Sequence, residues 1–403
     1  MPRNRPDVVA LLVALGADNL GSGMFLPIVL VFATGTAGVP LAVAGPVVTA
    51  GTVLGLLVPP LAGPLVDRIG PRRVVIAAQV VQAGGAAAYL FANGVGLVVV
   101  GALLLATGQQ LFYSSLMALI SDVAAAGPKD RSFAVVGMVR SACFGLGGLI
   151  MGILLAVAGS SGPRIAVGAD AVSFLLCAAV LAAFVRTTPA QPGAVAPIAG
   201  SRVWTDGRLV ALMVATAAVA LATDFLLSGV SVYVINQLRA QPWLPGAMIT
   251  VGTVVTSLGG TAALRLTARL SRPAAMAVGG VLVVLWCAAS TAALFLPVQW
   301  RPPWLCAATV LLAVGGLLFA PRANAIAVEL APASVRGRYL ATFQYAYTVP
   351  GVIAPAIVAL FDVAGWLPWA VVALGAAVSS VMLLALASRL PAPIVRPEQL
   401  TAG

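Results

Sequence analysis

Runs of apolar residues long enough to cross a lipid bilayer recur along this chain from one end to the other. A hydrocarbon core about 30 Å thick takes roughly 20 helical residues to cross. Lipid supplies no water to satisfy backbone N–H and C=O groups, so such runs must close their hydrogen bonds internally, as helices. Composition agrees: 61% of residues are hydrophobic and only 8% are charged, where a water-soluble domain carries about 25% charged residues. The sequence therefore predicts an all-α, multi-pass membrane protein.

Twelve spans are expected. The first six run about Val8–Phe32, Leu41–Val66, Val74–Ala92, Gly96–Ile120, Phe133–Ala158 and Ile165–Val185. The second six run about Leu209–Ile235, Leu244–Leu266, Ala274–Leu296, Trp304–Ile326, Tyr339–Phe361 and Trp366–Ala387. Between them, "RTTPAQPGAVAPIAGSRVWTDGR" (Arg186–Arg208) holds three prolines among small polar residues and reads as a linker. The expected division is a bundle over 1–186, a cytoplasmic linker over 187–208 and a second bundle over 209–403.

The formal charge of +11 is spread as arginines placed singly or in pairs between apolar runs, with Lys129 the one lysine. No basic run exists to track a nucleic acid. With both termini inside, seventeen basic residues fall on the cytoplasmic side and three, Arg164, Arg239 and Arg301, outside. That bias sets the expected orientation. Cys143, Cys177, Cys287 and Cys306 lie within apolar runs without ligand spacing and read as small hydrophobes, so neither a metal nor a cofactor is expected.

The second half repeats the first. "GQQLFYSSLMALISDVAAAGPKDR" (Gly108–Arg131) aligns without gaps on "GGLLFAPRANAIAVELAPASVRGR" (Gly315–Arg338), placing Asp122 on Glu329. "TAGTV" from Thr49 returns as "TVGTV" from Thr250, and "DNLGSG" from Asp18 as "DFLLSG" from Asp224. A duplicated six-span unit is the mark of a transporter built from two parallel halves.

Charges inside the spans are the candidate working parts. An aspartate at mid-span costs roughly 2.5–3.5 kcal/mol on insertion scales and so faces a bundle interior or a cavity. Asp18, with Asn19 beside it, and Asp224 are such residues; each either works in transport or is packed in its protonated form against a backbone carbonyl. Without a histidine in the chain, proton transfer falls to carboxylates. Low dielectric favours the neutral form of such a group and brings proton exchange toward the physiological range. Arg140 could pair with Asp18, hold an anionic substrate or make a structural ion pair, and Gln110 is a further polar candidate for a cavity wall. Asp170 is expected near an outer helix end, paired with Arg164, and Arg322 is expected to snorkel toward the cytoplasmic interface.

The loop after the second span reads "GPLVDRIGPRRVV", with Gly63, Asp67, Arg68, Gly70, Arg72 and Arg73. Here the chain resembles the major facilitator superfamily, whose cytoplasmic signature is glycine, then aspartate-arginine four residues on, then glycine and basic residues. The resemblance implies two six-helix bundles related by a pseudo-twofold axis, with the first and seventh spans lining a central cavity and Asp18 and Asp224 on opposite walls. It implies that Asp67 meets the positive end of the eleventh span, and that a motif arginine pairs with Asp122. Pro71 occupies the first basic position, which leaves Arg72 or Arg73 for that contact. In the second half Ala268 stands where the first has Asp67, and Arg269 where it has Arg68. "DAVSF" from Asp170 and "RSACFGLGGLIMG" in the fifth span are similar to stretches of the twelve-span drug:proton antiporter and enterobactin-exporter group, although the second also reads as small-residue packing.

The expected activity is secondary transport, most simply proton-coupled export of small amphipathic molecules, with proton-coupled uptake of a sugar, metabolite or siderophore as the alternative. The expected setting is a bacterial plasma membrane, with a monomer binding small substrates and protons. A membrane enzyme is disfavoured, since the chain has no histidine, no HExxH pair and no nucleophile elbow; a sensor is disfavoured because no soluble output domain is visible.

Overall fold

The computed structural model describes residues 5–29, 32–124, 129–158, 161–186, 203–241 and 243–396. Residues 187–202 of the expected linker lie outside these, as do Arg3 and Arg202. The described residues are helical, with no strand among them.

The first half supplies α1 (Arg5–Phe25), α2 (Leu41–Gly55), α3 (Val58–Ile69), α4 (Pro71–Leu90), α5 (Val95–Val123), α6 (Lys129–Ala158) and α7 (Gly162–Phe184). The second supplies α8 (Gly207–Val232), α9 (Leu244–Leu266), α10 (Arg272–Ala292), α11 (Arg301–Leu330), α12 (Arg336–Phe343), α13 (Tyr345–Val358), α14 (Leu367–Ala387) and the short α15 (Ala392–Val395). Proline opens α4, α7, α9, α10 and α14, where its missing N–H would have had no intrahelical partner anyway. Asp206 caps α8 by accepting the Arg208 amide, and Ser271 caps α10 by accepting that of Ala274.

Among the described residues, eleven helical segments are long and apolar enough to cross a membrane, and α2 with α3 makes a twelfth if taken as one span bent by 45°. The bend has a chemical cause. Pro59 and Pro60 have no amide to give to the preceding turn, and Leu56 and Leu57 bond three residues back instead of four. The eleventh span is likewise interrupted, at Gln344 between α12 and α13.

Packing groups the residues into two units. Unit 1 holds Met1–Ala126, Val139–Ser201 and Ala331–Gln344; unit 2 holds Gly127–Met138, Arg202–Leu330 and Tyr345–Gly403. In unit 1, α1 packs on α7, α4 on α5 and α7, and α2 on α5. In unit 2, α8 packs on α14, α10 on α11 and α14, and α9 on α11. The second set is the first advanced by six spans, so the same neighbours recur.

Each unit carries a buried aromatic knot: Phe25, Phe32 and Tyr89 edge to face in unit 1, and Phe225, Tyr233, Trp286, Phe361 and Trp369 in unit 2. Large apolar side chains face outward all along the spans, among them Leu61, Val157, Leu258 and Leu266. Water would penalise so much exposed hydrocarbon, whereas lipid does not.

Candidate functional site

Asp18 lies in the fourth turn of α1 and is only 5% exposed. One carboxylate oxygen accepts from Gln79 Nε2 of α4 at 2.9 Å and the other from Asn19 Nδ2 at 3.1 Å; Asn19 also donates to the Leu15 carbonyl. Two amides thus orient the group without a direct ion pair. Arg140 of α6 is turned elsewhere: its guanidinium donates to Tyr113 Oη at 2.7 Å and lies over that ring. Gln110 is buried on α5, and its stem packs close beside Gly55 of α2, where an added Cβ would fall 3.1 Å from Gln110 Cγ. Gln79 was not singled out in the sequence, although an amide within the third apolar run was the available signal.

Asp170 departs from its expected place. It is fully buried on α7, where Oδ1 meets the hydroxyls of Ser22 at 3.4 Å and Ser173 at 3.5 Å and Oδ2 has no partner. Ser22 lies one helical turn beyond Asp18 on α1, so the two carboxylates flank a single turn. Of the α6 glycines, Gly147 serves close packing: a Cβ on it would fall 2.2 Å from the Leu20 carbonyl oxygen, and Gly23 of α1 is as tightly placed against Phe144 of α6.

In unit 2, Asp224 borders a cavity of about 220 Å³ lined by Thr216, Val219, Thr223, Phe319 and Tyr347 among others. Gly351 of α13 faces its carboxyl group, and Tyr347 donates to Asn324 at 2.8 Å. The cavity is mostly apolar with one acid on its wall.

The Gly63–Val75 loop is built around two helix ends. Asp67 Oδ1 accepts the Gly337 amide at 2.6 Å and Oδ2 the Arg338 amide at 3.3 Å. These are the second and third residues of α12, whose own N-cap position, Val335, supplies no side-chain cap. Asp67 therefore caps α12 from another segment and meets the positive end of its dipole. The approach needs glycine on both sides: a Cβ on Gly63 would sit 2.6 Å from Arg338 Cα, and one on Gly337 2.6 Å from Asp67 Oδ1. Gly70, at φ +86°, turns the chain in the left-handed region between α3 and α4.

Arg72 does not reach Asp122. Its Nε donates to the Leu181 carbonyl at 2.9 Å and its Nη2 to that of Ala182, at the C-terminal end of α7 where carbonyls lack helical partners. Asp122 accepts instead from Arg336 at 2.8 Å, and Arg68 and Arg73 are exposed. Pro71 explains the exchange, because the position next to Gly70 carries no cation and α12 brings one.

Unit 2 solves the same problem differently. Shifting by the offset that relates Thr49 to Thr250 places Arg272 on Pro71, and Arg272 holds the counterpart of Asp122. Its Nη1 and Nη2 bond Glu329 at 2.6 and 2.9 Å, its Nε bonds Asp130 at 2.9 Å, and Nη1 also reaches the Ile394 carbonyl. Arg272 is 2% exposed. Arg322 does not snorkel; it is 4% exposed and donates to the Leu318 carbonyl and Thr267 Oγ1. No cluster of three or more His, Cys, Asp or Glu side chains with metal-site geometry occurs among the described residues.

The sequence profile of the Major Facilitator Superfamily matches residues 11–297. No curated protein sequence matches the chain. Among solved structures, a bacterial homologue of the iron transporter ferroportin, in an outward-facing state, superposes with a TM-score of 0.78 at 15% identity, over 95% of this chain and 99% of that one. The E. coli fucose:proton symporter gives 0.73 at 14% identity over 94% and 98%. The human organic anion transporter MFSD10 gives 0.71 at 16% identity over 95% and 100%. These likenesses concern the fold, and with the profile covering well over half of the sequence, the chain belongs to the Major Facilitator Superfamily.

Proposed function

We propose that the protein is a proton-coupled exporter of small amphipathic molecules, such as drugs or secondary metabolites, working by alternating access in a bacterial plasma membrane. Superfamily membership makes it a secondary transporter. The observation that carries the finer reading is Asp18: a buried carboxylate at mid-span, oriented by Gln79 and Asn19 rather than consumed by a salt bridge. Such a group can gain and lose a proton without first breaking an ion pair. The apolar cavity beside Asp224 supports an amphipathic substrate, with the acid to meet its polar end.

In the same reading, the halves 1–186 and 209–403 are the moving bundles, both termini are cytoplasmic, and the monomer is the working form. The Asp67 cap on α12 acts as a latch that holds in one state of the cycle and opens in the other. Moving one charge through 100 mV supplies about 2.3 kcal/mol, enough for more than tenfold accumulation.

Uptake by proton symport is the second reading. The fucose:proton symporter shares the fold, and the Arg140–Tyr113 pair would suit an anionic group on an incoming solute. Everted vesicles given a compound panel outside in one arm and loaded with it in the other, with lumenal pH recorded, separate the two. Export predicts that substrate entering the vesicle draws protons out, and symport predicts that both leave together.

A further inference from the structure

The second copy of the loop motif has lost its acid, keeps Arg269 where the first has Arg68 and gains Arg272 where the first has Pro71, and a cavity lies where those changes fall. In unit 2 a space of about 490 Å³ opens at the junction of α9 and α10, with Ala268 on its wall. Ala268 is the counterpart of Asp67, so the place that holds a carboxylate in unit 1 holds a methyl group here.

Its lining is strongly cationic. Arg131, Arg265, Arg269 and Arg396 border it, together with Arg272 and Arg322. Asp130 also lines it and Glu329 stands nearby; both bond Arg272, through one oxygen only in the case of Asp130, whose Oδ1 has no partner. Six guanidinium groups thus stand against two carboxylates that share one of them. The side chains of Arg131, Arg265, Arg269 and Arg396 make no ion pair or hydrogen bond with any described residue. Thr261 adds a hydroxyl to the wall. Planar, multi-donor guanidinium groups converging on one space match the oxygens of a phosphate group.

The rim is also greasy. Leu264 and Leu270 border it beside Arg265 and Arg269, and Leu270 is exposed. A ligand with a phosphate at one end and hydrocarbon at the other would satisfy both. We propose that this cavity binds a phosphate-bearing anion, with the headgroup of an anionic phospholipid and free phosphate as the two sources to be distinguished. Basic pockets between transmembrane helices are a recurrent form of headgroup site. Neither Asp18 nor Asp224 lines it.

The test uses the full-length protein, delipidated in detergent, with three probes: phosphatidylglycerol, inorganic phosphate and zwitterionic phosphatidylcholine. Binding is read by native mass spectrometry and by the shift in thermal unfolding. Arg265→Gln/Arg269→Gln removes two exposed bases, Arg265→Lys/Arg269→Lys keeps their charge, and Arg389→Gln is a control outside the cavity. The expected result is saturable binding of phosphatidylglycerol or phosphate that falls at least tenfold in the Gln pair, is partly kept in the Lys pair and is unchanged in Arg389→Gln. Binding of phosphatidylglycerol that millimolar phosphate does not displace identifies the lipid as source; binding of phosphate alone identifies the soluble anion. Binding of neither, equal binding in the Gln pair, or equal binding of phosphatidylcholine would overturn the proposal. Unfolding profiles without probe establish that the variants are folded.

Discussion

Asp67 and Gly337 stand 270 positions apart in the chain, yet the carboxylate of one accepts the amide of the other at 2.6 Å. A capping interaction that is usually local has become a long-range one. Its energy can then be given to or withdrawn from a conformational state.

Asp67→Ala removes a cap worth about 0.5–2 kcal/mol, which changes the population of the capped state roughly two- to thirty-fold. Transport should slow by a similar factor, with folding and substrate affinity little changed. Wild-type rates in proteoliposomes at equal protein content would rule out the latch.

Gly337→Ala should do at least as much damage without touching a charge. The added Cβ would meet both Asp67 Oδ1 and the Gly63 carbonyl at 2.6 Å, so the two segments must separate. Gly152→Ala, whose Cβ meets open space, is the matched control. Comparable transport by the two variants would show that the close approach is dispensable.

Asp18→Asn keeps the shape of the side chain but cannot ionise. Proton-driven transport should be lost while downhill substrate exchange survives. Asp224→Asn should alter substrate range or affinity more than coupling. Substrate-induced proton release from purified protein decides between them: release in Asp18→Asn but not in Asp224→Asn reverses the assignment.

Arg272→Ala should destabilise unit 2 by about 3–5 kcal/mol, since it strands two carboxylates that the guanidinium now bridges. Arg272→Lys cannot reproduce the two-pronged contact with Glu329 and should rescue only part of the loss. Thermal unfolding and yield of folded protein measure both. Adding Asp130→Asn and Glu329→Gln to the Ala variant should recover stability, because the stranded charges are then gone.

Much of the fold was legible because lipid enforces a simple rule, that a long apolar run must be a helix. The repeat of Gly108–Arg131 in Gly315–Arg338 likewise pointed to the recurring order of helix neighbours. Partners were harder to read. Asp122 takes Arg336 because α12 brings it near, and nothing in the local spacing of either residue encodes that meeting. Asp170 looked like a helix-end acid, but the depth of a residue depends on how far α7 extends before it, and its contact with Ser22 depends on how α1 crosses α7. Arg322 has a stem long enough to snorkel, yet Thr267 and the Leu318 carbonyl meet its donors where it stands.

The aromatic knot of unit 2 gives the protein an optical reporter of its own. Phe225, the residue after Asp224, lies 5.0 Å from the ring of Trp369 and 6.5 Å from that of Trp286. Those two tryptophans are sealed from solvent, whereas Trp204, Trp243, Trp300, Trp304 and Trp366 are exposed. A water-soluble quencher should therefore dim those outer tryptophans that lipid does not cover and leave the inner pair shining. Any ligand or proton that shifts α8 at Asp224 then changes the colour or brightness of unlabelled protein, with no dye attached and no residue replaced.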